Sequence, residues 1–173
     1  MHRFTAERSI EIQHAIGADI IIAFDECTSP TEPYDYQREA MERTHRWAKR
    51  SLLAHKHNYE ALKRQGLYGV VQGGRHLDLR TQSAKTLAAM EFAGFGIGGS
   101  FSKADLGDAL RVVNEVLPED KPRHLLGIGE PADITEGALL GCDTFDCVAP
   151  TRLARTGTIY EQTHAGHQRT NLY

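Results

Sequence analysis

Residues 67–74 read Leu-Tyr-Gly-Val-Val-Gln-Gly-Gly, a short apolar run that ends in a polar, glycine-rich segment. Four further apolar runs have the same form, at residues 20–24, 92–97, 123–128 and 143–148. Continuous apolar runs of this length are typical of strands that are buried on both faces of a parallel sheet. The sequence therefore predicts five buried strands, the first of them Ile-Ile-Ile-Ala-Phe at residues 20–24.

The segments between these strands have helical periodicity. Thr5 is a candidate N-cap for a first helix whose apolar stripe contains Ile10, Ile12 and Ile16 and which ends at Gly17. Further helices are predicted near residues 35–57, 77–90, 104–116 and 134–140. Strands that alternate with helices form a parallel sheet with right-handed crossovers, which is either a doubly wound open sheet or a barrel.

Polar residues or glycines follow nearly every predicted strand. They are Asp25-Glu26, Gln72-Gly73-Gly74, Gly98-Gly99-Ser100, Gly129-Glu130 and Asp146. In a barrel the ligand site lies where the C-terminal ends of the strands converge, so contributions from five strands favour a barrel over the single crevice of an open sheet. A complete barrel has about eight strands and about 250 residues. We therefore predict an α/β fold, a partial TIM (β/α)8 barrel of about five β/α units, as a single domain over residues 1–173.

Composition and charge exclude several classes of protein. With 173 residues, 40% of them hydrophobic, the chain can form one domain with a core, and no apolar stretch approaches the roughly 20 residues that cross a bilayer. Three cysteines form neither a disulfide framework nor zinc-type pairs, so a cytoplasmic location without a membrane partner is expected. The net charge of −3 argues against nucleic-acid binding by overall attraction, although a local basic patch remains compatible with it.

Two aspartates at strand ends are the strongest candidates for chemistry. An aspartate that follows an apolar strand is costly to bury unless it is paired or functional. Asp146 and Asp25 therefore each fit either a structural cap or salt bridge, or a reactive group. Two carboxylates at one barrel mouth favour glycosyl chemistry, in which a carboxylate attacks an anomeric carbon and forms a covalent intermediate.

Weaker signals surround these aspartates. Gln72 offers an amide donor and acceptor, and Gly98-Gly99 would let a ligand approach the backbone. Residues 127–133 are typical of a strand-to-helix turn whose amides bind phosphate, with Asp133 as the alternative N-cap. Residues 151–155 place two arginines beside Asp146, and the alternative for this segment is an exposed basic turn. A solvated face without metal ligands is predicted for Arg43, His45, Arg46, Lys49, Arg50, His55 and His57.

Five motifs, taken in order, resemble the tRNA-guanine transglycosylase family. They are Phe-Asp-Glu-Cys-Thr (24–28), Val-Val-Gln-Gly-Gly (70–74), Gly-Ile-Gly-Gly-Ser (96–100), His-Leu-Leu-Gly-Ile-Gly-Glu-Pro-Ala-Asp (124–133) and Phe-Asp-Cys-Val-Ala-Pro-Thr-Arg (145–152). Members of this family are barrel enzymes that exchange guanine at the anticodon wobble position of tRNA for a 7-deazaguanine, in queuosine biosynthesis. The resemblance leaves open whether the incoming base is preQ1 or queuine, because Ser100 and Leu126 differ from the residues common in bacterial members.

The resemblance implies a role for each motif. Asp146 would be the nucleophile that attacks C1′ of the ribose and holds the tRNA covalently. Asp25 would accept hydrogen bonds from the guanine edge, while Gln72 and the backbone N–H of Gly99 would donate to the carbonyl oxygen of the base. The residues implied to bind tRNA are Gly127, Ile128, Gly129, Glu130, Pro131, Ala132, Asp133, Thr151, Arg152, Leu153, Ala154 and Arg155.

The resemblance also implies parts that the chain does not hold. The family's acid/base aspartate segment and N-terminal barrel units would precede residue 1, and its zinc ligands, three cysteines and a histidine, would follow residue 173. Zinc is therefore expected in the full-length family protein, and negligible turnover is expected of the isolated chain. The alternatives are a non-catalytic tRNA-binding or dimerisation module, or an inactive fragment. Open strand edges predict self-association as a homodimer, a rearranged edge or poor solubility of the isolated chain, or pairing with the missing barrel segment.

Overall fold

The computed structural model describes residues 3–99, 103–164 and 166–172, so that Ser100 lies outside the described residues. One sheet contains five parallel strands, β1 (Ile20–Ile22), β2 (Gly66–Val71), β3 (Gly94–Ile97), β4 (Arg123–Leu125) and β5 (Thr144–Phe145). Each strand pairs in parallel with the next one in the sequence. A doubly wound sheet reverses its strand order at a switch point. The consecutive order instead matches a sheet that curls as half of a barrel.

Helices precede the first strand and occupy the connections that follow. They are α1 (Ala6–Ile16), α2 (Tyr34–Lys56), α3 (Tyr59–Arg64), α4 (Leu77–Ala88), α5 (Leu106–Asn114), α6 (Pro131–Leu139) and α7 (Ala149–Ala154). A single 3-10 turn at Lys103–Asp105 leads into α5. The predicted caps of α1 are confirmed, because the Arg8 N–H donates to Thr5 Oγ1 at 3.2 Å and Gly17 takes a left-handed conformation with φ of +80°.

The core lies between the helices and one face of the sheet. Successive residues of a strand point to opposite faces, and Ile21, Leu67, Phe95 and Leu125 all point to the helix-covered face. The side chains at the alternate positions, such as Tyr68 and Val70, therefore line the opposite, inner face of the curled sheet. Tyr68 lies directly over Gly94 on this face, where a Cβ atom would come within 2.5 Å of its ring.

Several expectations about burial and strand length are wrong. Ile16 is 72% exposed and Ile20 is 50% exposed. Ile16 is the last residue of α1, and Ile20 belongs to the inner-face set, which the described residues leave open at β1. The strands at 123–128 and 143–148 are shorter than predicted, because β4 ends at Leu125 and β5 ends at Phe145.

Three elements were not predicted at all: α3, α7 and an antiparallel hairpin. The hairpin contains β6 (Thr158–Thr163) and β7 (Gly166–Asn171). Most of its residues are exposed, so its sequence has no apolar face to indicate a strand. None of the helices in the described ranges is long and apolar enough to cross a membrane.

The outer edge of β1 is partly covered by a side chain. Gln13 of α1 donates from Nε2 to the Ile22 carbonyl oxygen at 2.9 Å, and its Oε1 accepts from the Ile22 N–H at 2.8 Å. These two bonds satisfy backbone groups that point away from β2 and would otherwise pair with another strand. The Gln13 amide therefore takes the place of a neighbouring strand at Ile22.

Candidate functional site

The candidate site follows from the direction of the five strands. Because all five are parallel, their C-terminal ends lie along one edge of the sheet. Gln72 follows β2 directly, Gly98-Gly99 follow β3, Leu126-Gly127 follow β4 and Asp146 follows β5. Asp25 lies three residues beyond the end of β1. The sequence-predicted residues are thus brought to one edge, in the order of the strands.

Asp25 and Gln72 are in direct contact. Gln72 donates from Nε2 to Oδ2 of Asp25 at 2.6 Å. Burial raises the pKa of the Asp25 carboxyl above its ordinary value of 3.8, and the hydrogen bond from Gln72 acts in the opposite direction. Gln72 is itself buried, and its Oε1 has no hydrogen-bond partner among the described residues. A buried polar atom without a partner is uncommon and is a reason to expect a ligand at this position.

Gly99 lies beside this pair. Its φ of +98° is in the left-handed region, and a Cβ atom would lie 3.0 Å from Gln72 Oε1 and 2.7 Å from Nη2 of Arg80. Only a glycine both tolerates this backbone conformation and leaves this space. The backbone of residue 99 therefore approaches the Gln72 amide closely, as the sequence predicted for a ligand-facing turn.

Arg80 of α4 connects the two loops that form this part of the site. Its side chain is fully buried and donates from Nε to the Gly74 carbonyl at 2.6 Å and from Nη2 to the Gly98 carbonyl at 3.0 Å. Burial lowers the pKa of Arg80 to about 10, so the guanidinium remains charged at neutral pH. Sequence reasoning missed Arg80. The available signal was its place in the apolar stripe of α4, with Ala84 and Leu87 one and two turns later.

The segment that carries Asp25 is anchored to α2. Glu26 accepts from the Tyr36 hydroxyl at 2.8 Å and pairs with Arg43, while the Glu26 N–H donates to Thr44 Oγ1 at 3.0 Å. The prediction of a solvated basic face on α2 is therefore wrong for Arg43.

That prediction is also wrong for His45 and His55, whereas Arg50 is exposed as predicted. Arg50 forms two bonds of 2.6 Å to Glu7 on α1, and His45 contacts Ser83 of α4 at 3.0 Å. His55 is buried and bonds to His14, at 2.9 Å between ring nitrogens. The reason is that α1 and α4 both pack against α2 and cover the two histidines.

Asp146 lies on the inner face at the end of β5, and its side chain is 55% exposed. Its Oδ1 accepts from the Gly127 N–H at 2.7 Å and contacts Nε2 of His124 at 3.1 Å. Its Oδ2 has no hydrogen-bond partner in the part of the chain that the structure describes. One carboxylate oxygen is therefore fixed by the end of β4, and the other is open to a ligand.

The apolar side chain of Leu126 connects the two halves of the site. A Cβ atom added at Gly98 would lie 3.0 Å from Gln72 Nε2 and 3.5 Å from Leu126 Cδ1. Leu126 directly precedes Gly127, which holds Asp146. Neighbouring strands are about 4.8 Å apart, so Asp146 lies roughly 10 Å along the sheet edge from Gly99.

The two segments that the resemblance assigned to tRNA line one cavity of about 470 Å³. Its lining includes Gly127, Ile128, Gly129, Glu130, Asp133, Arg152 and Leu153. Within these segments, Arg152 and Arg155 are exposed on α7. Arg169 of the hairpin also lines the cavity and pairs with Glu130, a contact that sequence reasoning missed.

The alternative role of Asp133 as an N-cap is wrong. Helix α6 begins at Pro131 with Glu130 at the cap position, and Asp133 lies buried in its first turn. Proline is favoured at the first helical position, because its fixed φ fits the helix and the N–H that it lacks has no partner there. The helix therefore begins three residues before the predicted start at Ile134.

No cluster of three or more His, Cys, Asp and Glu side chains within residues 3–99, 103–164 and 166–172 could hold a metal ion. The zinc that the family resemblance implies thus has no set of ligands in this part of the chain.

Comparisons with known proteins show the family to which the chain belongs. A family model described as queuine tRNA-ribosyltransferase matches residues 1–172. The chain is 48% identical over 161 residues to the queuine tRNA-ribosyltransferase of Bacillus velezensis, covering 89% of this chain and 40% of that protein. It is 47% identical over 162 residues to that of Thermoanaerobacter pseudethanolicus, covering 92% of this chain and 42% of that protein. The chain thus spans about 40% of the length of these relatives, and it belongs to the queuine tRNA-ribosyltransferase family.

Proposed function

We propose that the chain forms the part of a tRNA-guanine transglycosylase that recognises guanine and carries the nucleophile, Asp146. The observation that supports this most strongly is the state of the Asp146 carboxylate. One of its oxygens is held by Gly127 and His124, while the other has no partner within the described residues. A nucleophile needs such an arrangement, because a fixed carboxylate with one open oxygen can approach a sugar carbon in a defined direction.

The proposed base site is the group formed by Asp25, Gln72 and Gly99. An ionised Asp25 can accept two parallel hydrogen bonds, from N1–H and from the exocyclic amine of guanine. The Gln72 Nε2 carries two hydrogens, of which one donates to Asp25. Its second hydrogen and the Gly99 N–H would donate to the carbonyl oxygen of the base. The target nucleotide must leave its stack to reach this site.

The proposed reaction is a double displacement at C1′. An oxygen of Asp146 attacks C1′, the bond from C1′ to N9 of guanine breaks, and the electron pair stays on N9, which takes up a proton. The incoming 7-deazaguanine, preQ1 or queuine, then attacks C1′ through its own ring nitrogen and loses a proton. Asp146 leaves as a carboxylate, so two inversions retain the configuration at C1′. Water supplies the proton that guanine takes up and receives the proton that the incoming base loses, so the exchange is balanced.

The proposed tRNA contacts are residues 127–133 and 151–155, and part of each segment lines the same cavity. Arg152 and Arg155 are exposed and have no ion pair within the described residues, so their guanidinium groups are available for phosphates. The overall negative charge of the chain gives no general attraction for tRNA. Binding should therefore depend on this local patch, and it should weaken as salt concentration rises.

The test is the exchange of radiolabelled guanine into tRNA by the complete gene product that contains this chain. Asp146→Asn should abolish the exchange, because an amide cannot act as the nucleophile. Asp25→Ala should weaken base binding and leave slow exchange at high guanine concentration. Asp120→Asn, which removes an exposed carboxyl outside the site, is the matched control and should exchange as the wild type does.

Two results would contradict the proposal. Exchange at the wild-type rate by Asp146→Asn would show that another group is the nucleophile. Tight tRNA binding without exchange by the wild-type protein would favour the non-catalytic tRNA-binding module instead.

A further inference from the structure

His124 links Asp146 to the body of the sheet. It lies on β4 directly opposite Thr144 on β5, and its side chain is 20% exposed. Its Nδ1 is 2.8 Å from Thr144 Oγ1, and its Nε2 is 3.1 Å from Asp146 Oδ1. The imidazole is therefore fixed at both nitrogens, and one of them touches the proposed nucleophile.

The chemistry of these partners determines where the protons lie. An ionised carboxylate only accepts hydrogen bonds, so Nε2 must carry a proton that it donates to Asp146. Thr144 Oγ1 can either donate to or accept from Nδ1, because a hydroxyl has both capacities. The ring therefore has a partner at each nitrogen, and it donates from Nε2 to the carboxylate.

We propose that His124 is a positioning residue for Asp146, an inference that rests on the proposed function of that carboxylate. Without His124, the Gly127 N–H would be the single donor to the half-exposed Asp146 carboxylate among the described residues, and water would compete for that hydrogen bond. A second donor on the same oxygen fixes the rotation of the carboxylate and directs Oδ2 away from the β4 end. When the second displacement releases Asp146 from C1′, the Nε2–H is already placed to donate to the carboxylate that forms again.

The size of the effect follows from the need for alignment. Misplacing a reacting group by about 1 Å can lower a rate by about 100-fold without changing how tightly the substrate binds. His124→Phe fills a similar volume but removes the donor. It should lower the rate of covalent adduct formation between protein and tRNA by about 10- to 100-fold. His124→Gln can place an amide N–H near the position of Nε2 and should recover most of that loss.

The experiment uses the complete gene product and a tRNA substrate under single-turnover conditions, with adduct followed on denaturing gels. The rate constant and the tRNA concentration at half-maximal rate are measured for the wild type, His124→Phe and His124→Gln. His57→Phe, which replaces an exposed histidine at the end of α2, is the matched control. We expect His124→Phe to lower the rate constant alone, while the half-saturating tRNA concentration and the control remain unchanged.

A second measurement needs no tRNA. In the same protein carrying ¹⁵N-labelled histidine, the ring resonances of His124 should show a proton on Nε2, and Asp146→Ala should shift that resonance. A ring protonated only on Nδ1, or a resonance that ignores Asp146→Ala, would overturn the assigned contact. Adduct formation by His124→Phe at the wild-type rate would overturn the positioning role alone. A wild-type protein that forms no adduct while keeping the ring signature would overturn the proposed function, and with it the role of His124.

Discussion

Gly99→Ala is the substitution that most directly probes how the proposed base site is built. Residue 99 has a φ of +98°, and an added Cβ atom would lie 2.7 Å from Arg80 Nη2 and 3.0 Å from Gln72 Oε1. Two separate costs follow from this geometry. The left-handed backbone costs an L-residue about 1–2 kcal/mol, and the crowding of two buried side chains adds about 1–3 kcal/mol.

Gly17→Ala separates the two costs. Gly17 has a φ of +80°, but an added Cβ atom there would meet nothing within 4 Å. It should therefore lower the free energy of unfolding by about 1–2 kcal/mol, from the backbone alone. Gly99→Ala should lower it by about 2–5 kcal/mol, the sum of both costs.

The substitution at Gly99 should also weaken base binding, because it displaces the amide of Gln72. We expect guanine affinity to fall by at least about tenfold, which corresponds to about 1.4 kcal/mol. Urea unfolding gives the stability, and calorimetric titration with guanine gives the affinity. The reasoning is refuted if Gly99→Ala is no less stable than Gly17→Ala and binds guanine as tightly as the wild type.

Three further predictions concern the edge strand and the titrating groups. Gln13→Met removes both hydrogen bonds to Ile22 and should lower the free energy of unfolding by about 2 kcal/mol, or Tm by about 4–8 °C. The control Gln82→Met, on the exposed side of α4, should change Tm little. Equal Tm values for the two variants would contradict the role of Gln13. Burial lowers the pKa of both His14 and His55, so the unfolded chain binds more protons and stability should fall as pH drops below about 6.5. If the stability of a His14→Gln/His55→Gln double variant depends on pH as that of the wild type does, other groups cause the loss of stability. Burial raises the pKa of Asp25, so guanine affinity should fall on acidification at a higher pH than for an ordinary carboxyl, and calorimetry of Asp25→Asn should show a weaker and less pH-dependent affinity.

Much of the fold could be predicted because apolar runs and their polar ends are local features of the sequence. The predicted strand at 67–71 is found as β2, and helix α1 begins after Thr5 and ends at Gly17 as expected. Burial at Ile16 and Ile20 could not be read in this way, because it depends on which elements cover a position in three dimensions. The hairpin escaped prediction for a related reason, since a strand exposed on both faces has no apolar alternation.

The same difference between local sequence features and three-dimensional packing decides which residues of the site could be predicted. Gln72 and Asp146 could be predicted as site residues because each follows an apolar strand. The resemblance of the motifs to a family then implied a role for each of them. Arg80 escaped because an arginine is ordinarily assigned to a solvated face, whereas here two backbone carbonyls bind it in the interior. The contact of His124 with Asp146 requires the register of β4 with β5, and a shift of one residue would turn His124 to the opposite face.

The most direct test of Asp146 as the nucleophile is to map the covalent bond. The complete gene product is incubated with substrate tRNA without an incoming base, denatured and digested, and the modified peptide is sequenced by mass spectrometry. We predict a ribose attached through C1′ to the side chain of Asp146, in the peptide that contains Phe145 and Cys147, and no adduct with Asp146→Asn. A ribose attached to Asp25 or to any other residue, or an adduct that persists in Asp146→Asn, would contradict the assignment.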